Sequence, residues 1–114
     1  MPLNTHSQAA MKHIAFKMQL FAGVEAEYKK RHDEIWPELK TLLLAAGIIN
    51  YRIFLEESTG TLFAHMEVTD QNTTTEIKNH PIMKRWWDYM SDLMETNPDK
   101  SPMQTPLKEV FYLP

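Results

Sequence analysis

Hydrophobic side chains recur along this chain with two different periods, and the order of those periods constrains the fold more than any other feature. In residues 13–20 the larger apolar side chains fall at every second position, which is the period of a strand with one buried face. Residues 24–32 and 37–46 repeat every three or four positions, as helices do. Residues 48–55 and 61–68 are β-branched and aromatic runs joined by a short connection that contains glycine. The first part of the chain therefore predicts a strand, two helices and a hairpin.

Proline and glycine mark where the predicted helices begin and end. Trp36 precedes Pro37 and is pushed away from helical dihedral angles, so we expect a break between two short helices at this point. Gly47 is placed to end the second helix in a left-handed conformation. Pro81 is placed to open a further helix that runs to residue 96. The helical regions thus have boundaries that the sequence itself supplies.

The C-terminal segment completes the predicted topology. Residues 97–106 hold three prolines and predict a loop, and residues 108–113 have the composition of a strand. The order is then β-α-β-β-α-β, which is that of the α+β, ferredoxin-like motif with a four-stranded antiparallel sheet. Helices on one side leave the other face of the sheet uncovered, and a second copy of the chain is the most economical cover. We therefore expect a homodimer in which two sheets form an α/β barrel.

Composition bounds the partners and the location of the protein. The chain has 114 residues, enough for one domain, which we place at 11–114; residues 1–10 lack periodicity and predict a flexible extension. A net charge of −3 with scattered cations argues against nucleic acid as a partner. No apolar run approaches the roughly 18 residues of a membrane span, and no signal pattern is present, so we expect no membrane association. The absence of cysteine fits the cytoplasm.

Tyr28 and His32 are the first candidates for chemistry. They lie four positions apart on a predicted helix, so both side chains project from the same side of it. Histidine is the side chain that gives and takes protons near neutral pH, with an ordinary pKa of about 6.5. His32 is therefore a candidate acid-base group, with a surface or capping role as the alternative.

Several aromatic residues are candidates for binding a ring-shaped ligand. Trp86, Trp87 and Tyr89 offer flat apolar faces that suit the CH-rich face of a pyranose, although packing in the core is the competing interpretation. Adjacent residues on a helix point about 100° apart, so we expect at least one of the two tryptophans to serve the core. Tyr51 alternates with apolar strand residues, and its hydroxyl needs a partner, either a ligand or a neighbouring group.

No established motif predicts a metal or a cofactor. A zinc or iron site built from His32, His65 or His80 is conceivable, but the chain has no HExxH or comparable spacing. The carboxylates show no pair typical of a glycosidase, and there is no GxSxG, P-loop or GxGxxG sequence. We therefore expect chemistry that uses the side chains of the protein alone.

Six stretches of the sequence together resemble the L-rhamnose mutarotase family. They are AFKMQL, EYKKRHDEIWPEL, NYRIFL, RWWDYM, NPDKSP and the closing EVFYLP. The similarity spans residues 12–114, and the joint order and spacing of the stretches make it specific. Residues 69–79 match no motif of this family.

The resemblance implies a fold, an activity and a set of site residues. It implies the dimeric ferredoxin-like barrel and the interconversion of the α and β anomers of L-rhamnose without metal or cofactor. It also implies that His32 is the acid-base group and that four residues bind the sugar. These four are Tyr28, Tyr51, Trp86 and Trp87.

Two alternatives and one mechanistic question stay open at this point. Small oxygenases share the dimeric barrel fold, and a module that binds a small molecule without reacting would use the same scaffold. The second proton-transfer group is a tyrosine or a bound water molecule. The sequence does not rank L-rhamnose against related sugars, because discrimination depends on where hydroxyl contacts lie in three dimensions.

Overall fold

The computed structural model of the protein describes residues 11–114; the predicted flexible extension at 1–10 lies outside the described residues. Residues 11–114 form a small α+β structure with a four-stranded antiparallel sheet, three α-helices and one 3₁₀ turn at Ile77–Asn79. The strands are β1 (Met11–Gln19), β2 (Ile48–Glu56), β3 (Thr61–Thr69) and β4 (Thr105–Leu107). The helices are α1 (Glu25–Asp33), α2 (Pro37–Ala45) and α3 (Pro81–Met90).

The sheet has the order β2-β3-β1-β4, with antiparallel pairing between all neighbours. β1 and β2 therefore run in the same direction, and β3 is inserted between them. The hairpin of β2 and β3 closes at residues 56–60, which confirms the turn predicted there. A register shift between Ile48 and Asn50 interrupts the pairing at the start of β2.

The core lies on one face of the sheet, as the alternation in residues 13–20 predicts. Phe16 and Met18 of β1 are buried, and on β3 every second residue from Leu62 to Val68 is buried. All three α-helices contribute to the same core cluster, through side chains such as Tyr28, Leu39, Met83, Trp86 and Met90. The helices thus cover one face of the sheet.

The other face of the sheet carries a mixture of polar and aromatic side chains. Phe54 of β2 and Phe63 of β3 lie directly opposite each other, and both are exposed. His13 and His65 stack on this face with their ring nitrogens 2.9 Å apart. We call it the helix-free face.

Two predicted helix boundaries are confirmed. Trp36 has extended dihedral angles (φ −60°, ψ 133°), and α2 begins at Pro37. Gly47 has a φ of +99° directly after α2, and its N–H donates to the Leu44 carbonyl oxygen at 3.1 Å. The left-handed conformation needs glycine at this position because a β-carbon would be strained there.

The prediction that the third helix runs to residue 96 is wrong, since α3 ends at Met90. The Ser91 hydroxyl donates to the Asp88 carbonyl oxygen at 2.7 Å and so satisfies one of the last acceptors of the helix. The chain then turns, and the N–H of Phe21 donates to the Leu93 carbonyl oxygen at 2.9 Å. Leu93 and the following Met94 are buried against the sheet instead of continuing the helix.

The predicted strand at 108–113 is displaced. β4 pairs with β1 only through Thr105–Leu107, so the strand begins within the segment predicted as a loop and ends just before the predicted strand. Residues 108–114 follow it as an extended tail, and the apolar side chains at 110–113 are 69–89% exposed. The composition is that of a strand, but the tail has no pairing partner within residues 11–114.

Among the described residues, no helix has the length and apolar character needed to cross a membrane.

Candidate active site

A cavity of about 740 Å³ lies between the helices and the β2 side of the sheet, and all five predicted site residues line it. Tyr28 and His32 come from α1, Tyr51 from β2, and Trp86 and Trp87 from α3. The cavity is in the size range of small-molecule sites, and its walls are largely apolar with a few polar groups. Three elements that are far apart in the sequence thus bring their predicted residues to one place.

The His32 ring is fixed by its own helix. Its Nδ1 atom lies 3.0 Å from the Tyr28 backbone carbonyl oxygen, which only accepts hydrogen bonds, so Nδ1 carries the proton and donates. In the neutral ring, Nε2 then has a free lone pair. Nε2 makes no hydrogen bond with any residue of the described part of the chain, and the ring lines the cavity. His32 therefore lines the cavity with one ring nitrogen that is free to accept a proton.

The surroundings of His32 favour its neutral form. Burial lowers the pKa of His32 below its ordinary value of 6.5. The hydrogen bond to the Tyr28 carbonyl and the nearby Asp33 carboxylate oppose this effect but do not reverse it. At neutral pH the ring is thus an unprotonated base.

Two tyrosine hydroxyls face the same cavity. Burial raises the pKa of Tyr28 well above its usual range, and the neighbouring Tyr51 raises it further. Although 39% of the Tyr51 surface is exposed, burial around its hydroxyl raises its pKa to about 12. Neither hydroxyl bonds to another side chain or carbonyl within residues 11–114. Both stay protonated and are available as hydrogen-bond donors to a ligand.

The two tryptophans of α3 differ in their environment. Trp86 is buried, with its ring edge-on to His32 at a centroid distance of 5.5 Å and to Trp36 at 5.1 Å. Trp87 is only half-buried, and it also lines the cavity. Trp86 therefore serves the core and the cavity together, whereas Trp87 offers more free surface to a ligand. Trp36 was predicted only to mark a helix boundary, but its ring also packs against Trp86.

The loop after α3 also borders the cavity, and this was not predicted from the sequence. Thr96, Lys100, Pro102 and Gln104 line it, although no role was assigned to this segment. The sequence feature that could have indicated this loop is the NPDKSP stretch, one of the six that resemble the L-rhamnose mutarotase family. Lys100 has a φ of +74°, uncommon for lysine, within a turn closed by a 2.8 Å bond from the Asn97 N–H to the Ser101 carbonyl.

The other histidines considered for a metal site lie elsewhere. His65 is on the helix-free face, and the His80 side chain accepts a hydrogen bond from the Ile82 N–H at the start of α3. Within residues 11–114, no three histidine or carboxylate side chains are grouped so as to hold a metal ion.

Comparison with known proteins gives one consistent result. The family model for L-rhamnose mutarotase matches residues 13–113. An L-rhamnose mutarotase of Formosa agariphila is 48% identical over 90% of this chain and 99% of its own length. One of Jannaschia sp. (strain CCS1) is 51% identical over 91% of this chain and 100% of its own length. A crystal structure of L-rhamnose mutarotase from Formosa agariphila has a TM-score of 0.84, with 90% of this chain and 99% of that chain covered.

The family match and these relatives identify a small α+β enzyme of the carbohydrate isomerase class, and its cavity is lined by a histidine and several aromatic residues. The sequence identity extends over nearly the full length of these relatives, so it indicates a common family and not only a common fold. The chain belongs to the L-rhamnose mutarotase family.

Proposed function

We propose that this chain interconverts the α and β anomers of L-rhamnopyranose by general acid-base catalysis, with His32 as the proton carrier. The observation that carries the proposal is the state of His32: it lines the cavity as a neutral ring whose Nε2 lone pair is unpaired within residues 11–114, because Nδ1 is committed to the Tyr28 carbonyl. The proteins that match nearly the whole chain are L-rhamnose mutarotases, which supports the choice of sugar.

The proposed reaction begins with His32 as a base. Nε2 removes the proton of the anomeric hydroxyl while the ring oxygen receives a proton, and the bond between the anomeric carbon and the ring oxygen breaks. The open-chain aldehyde then rotates about its C1–C2 bond. The ring closes as the two proton transfers reverse, with the imidazolium returning its proton to the anomeric oxygen. Each group ends in its starting state, so no net proton is consumed.

The other four residues hold the sugar in this scheme. The Tyr28 and Tyr51 hydroxyls donate hydrogen bonds to sugar oxygens, since their raised pKa values keep them protonated at neutral pH. The Trp86 and Trp87 rings pack against the CH-rich face of the pyranose and its methyl group. The second proton passes through a tyrosine hydroxyl or a water molecule in the cavity.

The direct test is saturation-transfer proton NMR on L-rhamnose. Irradiation of one anomeric signal will reduce the other when the protein is present, beyond the exchange that water alone gives. His32→Asn is expected to lower the exchange rate by a factor of roughly 10² to 10⁴, the usual contribution of a positioned acid-base group.

His80→Asn is the matched control for this test. It makes the same substitution at another helix end, and asparagine preserves the cap that His80 provides at the start of α3. We expect wild-type exchange in this variant. Full activity of His32→Asn would disprove the assigned proton carrier. Absence of transfer by the wild type with L-rhamnose and other 6-deoxy sugars would point instead to an oxygenase or a binding module.

We further propose that residues 11–114 form a single domain of ferredoxin-like topology, and that two copies pair into an α/β barrel. The strand order β2-β3-β1-β4, with β3 between the parallel β1 and β2, supports the topology. The exposed Phe54 and Phe63 on the helix-free face and the apolar tail at 110–113 support pairing, because such surface is usually covered. The absence of cysteine from the sequence fits the cytoplasmic location that we propose.

A further inference from the structure

Arg31 makes the most extensive set of polar contacts of any side chain around the cavity. Its Nε atom lies 2.8 Å from Glu27 Oε2, and its Nη1 and Nη2 atoms lie 2.9 and 3.3 Å from the two carboxylate oxygens of Asp92. Nη1 also donates to the Tyr89 carbonyl oxygen at 2.6 Å, and the guanidinium stands over the Tyr89 ring at 4.4 Å. Only 12% of the Arg31 side chain is exposed.

These contacts join α1 to the C-terminal end of α3. The Tyr89 carbonyl belongs to the last turn of α3, where unpaired carbonyl groups and the helix dipole favour a cation. Asp92 follows that end directly, so Arg31 bonds to both the helix end and the turn after it. A bidentate contact with a carboxylate fixes orientation as well as distance.

Arg31 precedes His32 in the sequence. Its contact residue Tyr89 is also connected to His32, through the ring of Trp86. Tyr89 packs on Trp86 with ring centroids 5.7 Å apart, and Trp86 packs edge-on against the His32 ring. The contact between α1 and α3 therefore sets where the imidazole lies relative to Trp86. No other ion pair within residues 11–114 joins α1 to α3 or to the turn after it.

We propose that Arg31 is a positioning residue for the reaction, which locks α1 onto the end of α3 so that His32 keeps its place against Trp86 in the cavity. This inference rests on the proposed role of His32. Arg31 does not line the cavity, so its effect is exerted through the placement of the histidine. Small displacements of a catalytic group commonly cost one to two orders of magnitude in rate.

Arg31→Lys is the sharpest test because it keeps the positive charge but removes the planar guanidinium group that bonds both carboxylate oxygens of Asp92. We expect kcat for anomer exchange to fall by about 10-fold while KM changes by less than about 2-fold, since sugar contacts remain in place. Lys30→Gln is the matched control: Lys30 is exposed on the same helix and does not line the cavity. We expect wild-type kinetics in this control.

A second readout separates positioning from a general loss of stability. The titration of His32, followed by NMR of its ring protons without sugar, is expected to shift towards the ordinary value of 6.5 in folded Arg31→Lys, as water reaches the displaced ring. The titratable groups next to the ring are Tyr28 and Asp33 of α1, whereas α3 presents the uncharged Trp86, and Tyr51 of β2 lines the same cavity. On the cavity rim lie Glu25, Lys29, Glu57 and Lys100. The variants change none of these groups.

The proposal is overturned if folded Arg31→Lys keeps both the wild-type kcat and the wild-type His32 titration, or if only KM changes. Should Arg31→Lys fail to fold, Asp92→Asn takes its place, because it weakens the same contact from an exposed residue. It must then show both changes to a smaller degree, and their absence overturns the proposal equally. Since the titration needs no sugar, it tests Arg31 independently of whether the wild type exchanges rhamnose anomers.

Discussion

Tyr28 and His32 show how one spacing on a helix has two consequences. The four-residue interval that places both side chains on one face also brings the His32 ring back to the Tyr28 carbonyl, the position of a helical i to i−4 contact. That contact selects which ring nitrogen holds the proton. The sequence predicts the shared face, but the tautomer depends on the direction of the ring, which only the structure shows.

The lowered pKa of His32 predicts a pH dependence of stability. Because the unfolded chain takes up a proton at an ordinary pKa of 6.5 and the folded chain does so only at lower pH, the unfolded state binds more protons in the interval between them. The free energy of unfolding therefore falls as the pH decreases through that interval, and it is fully restored above it.

Urea unfolding of the wild type and His32→Gln at several pH values measures this contribution. As the pH falls below about 6.5, the free energy of unfolding of the wild type should decrease relative to that of His32→Gln. Parallel pH profiles would show that burial of His32 carries no such penalty. The proposed mechanism uses the neutral ring, so catalysis should by the same reasoning persist to a pH below 6.5.

At the residue scale, the sequence predicts which side chains meet but not how each is supported. All five predicted site residues line one cavity. The roles of Arg31 and Trp36 were not predictable, because both depend on the angle at which α1 and α2 meet the end of α3. Their contact partners on α3 and in the turn after it lie 50 or more positions away in the sequence, and no local period reports such distances.

At the scale of elements, the junction between α2 and β2 is held by backbone contacts at Gly47. The Gly47 carbonyl accepts from the Thr69 N–H at 2.9 Å, and the Ala46 carbonyl accepts from the Thr73 N–H at 2.8 Å. The end of α2 is thereby fixed to the end of β3. A β-carbon on Gly47 would lie 2.6 Å from Thr69 Oγ1 and 3.0 Å from the backbone of Asn72.

Gly47→Ala and Gly23→Ala together separate backbone strain from steric collision. Gly23 also has a positive φ, of +82°, but a β-carbon there meets no atom within 4 Å. Gly23→Ala should lower the free energy of unfolding by about 1 kcal/mol through strain alone. Gly47→Ala should cost about 1 to 3 kcal/mol more, because the collision with Thr69 and Asn72 adds to the same strain.

Thermal or urea unfolding of the two variants gives the comparison. Equal losses of stability would mean that the contacts between the end of α2 and the end of β3 yield easily and do not fix the two elements.

Helix starts and ends were the most predictable boundaries because proline and glycine act locally. The end of α3 at Met90 was not, since it depends on the burial of Leu93 and Met94 against the sheet.

At the scale of the whole molecule, the helix-free face and the C-terminal tail both expose apolar side chains that no other part of residues 11–114 covers. The sequence predicts a strand at 108–113, whereas this segment is extended and exposed beyond β4. Strand composition was recognisable, but pairing depends on a partner, and the segment finds none within residues 11–114. A second copy of the chain is the partner that we propose, and it accounts for both unpartnered surfaces at once.

Phe54→Lys tests this dimer because it places a charge on the helix-free face, opposite Phe63. Burial of an unpaired cation in an interface is costly, so the variant should be a monomer at concentrations where the wild type is a dimer. Leu44→Lys is the matched control: Leu44 is exposed to a similar degree, 54% against 61%, but lies on α2, on the other side of the molecule. Analytical ultracentrifugation of the three proteins should give a dimer for the wild type and the control only. A wild type that remains monomeric at all concentrations contradicts the dimer, and a dimeric Phe54→Lys places the interface elsewhere.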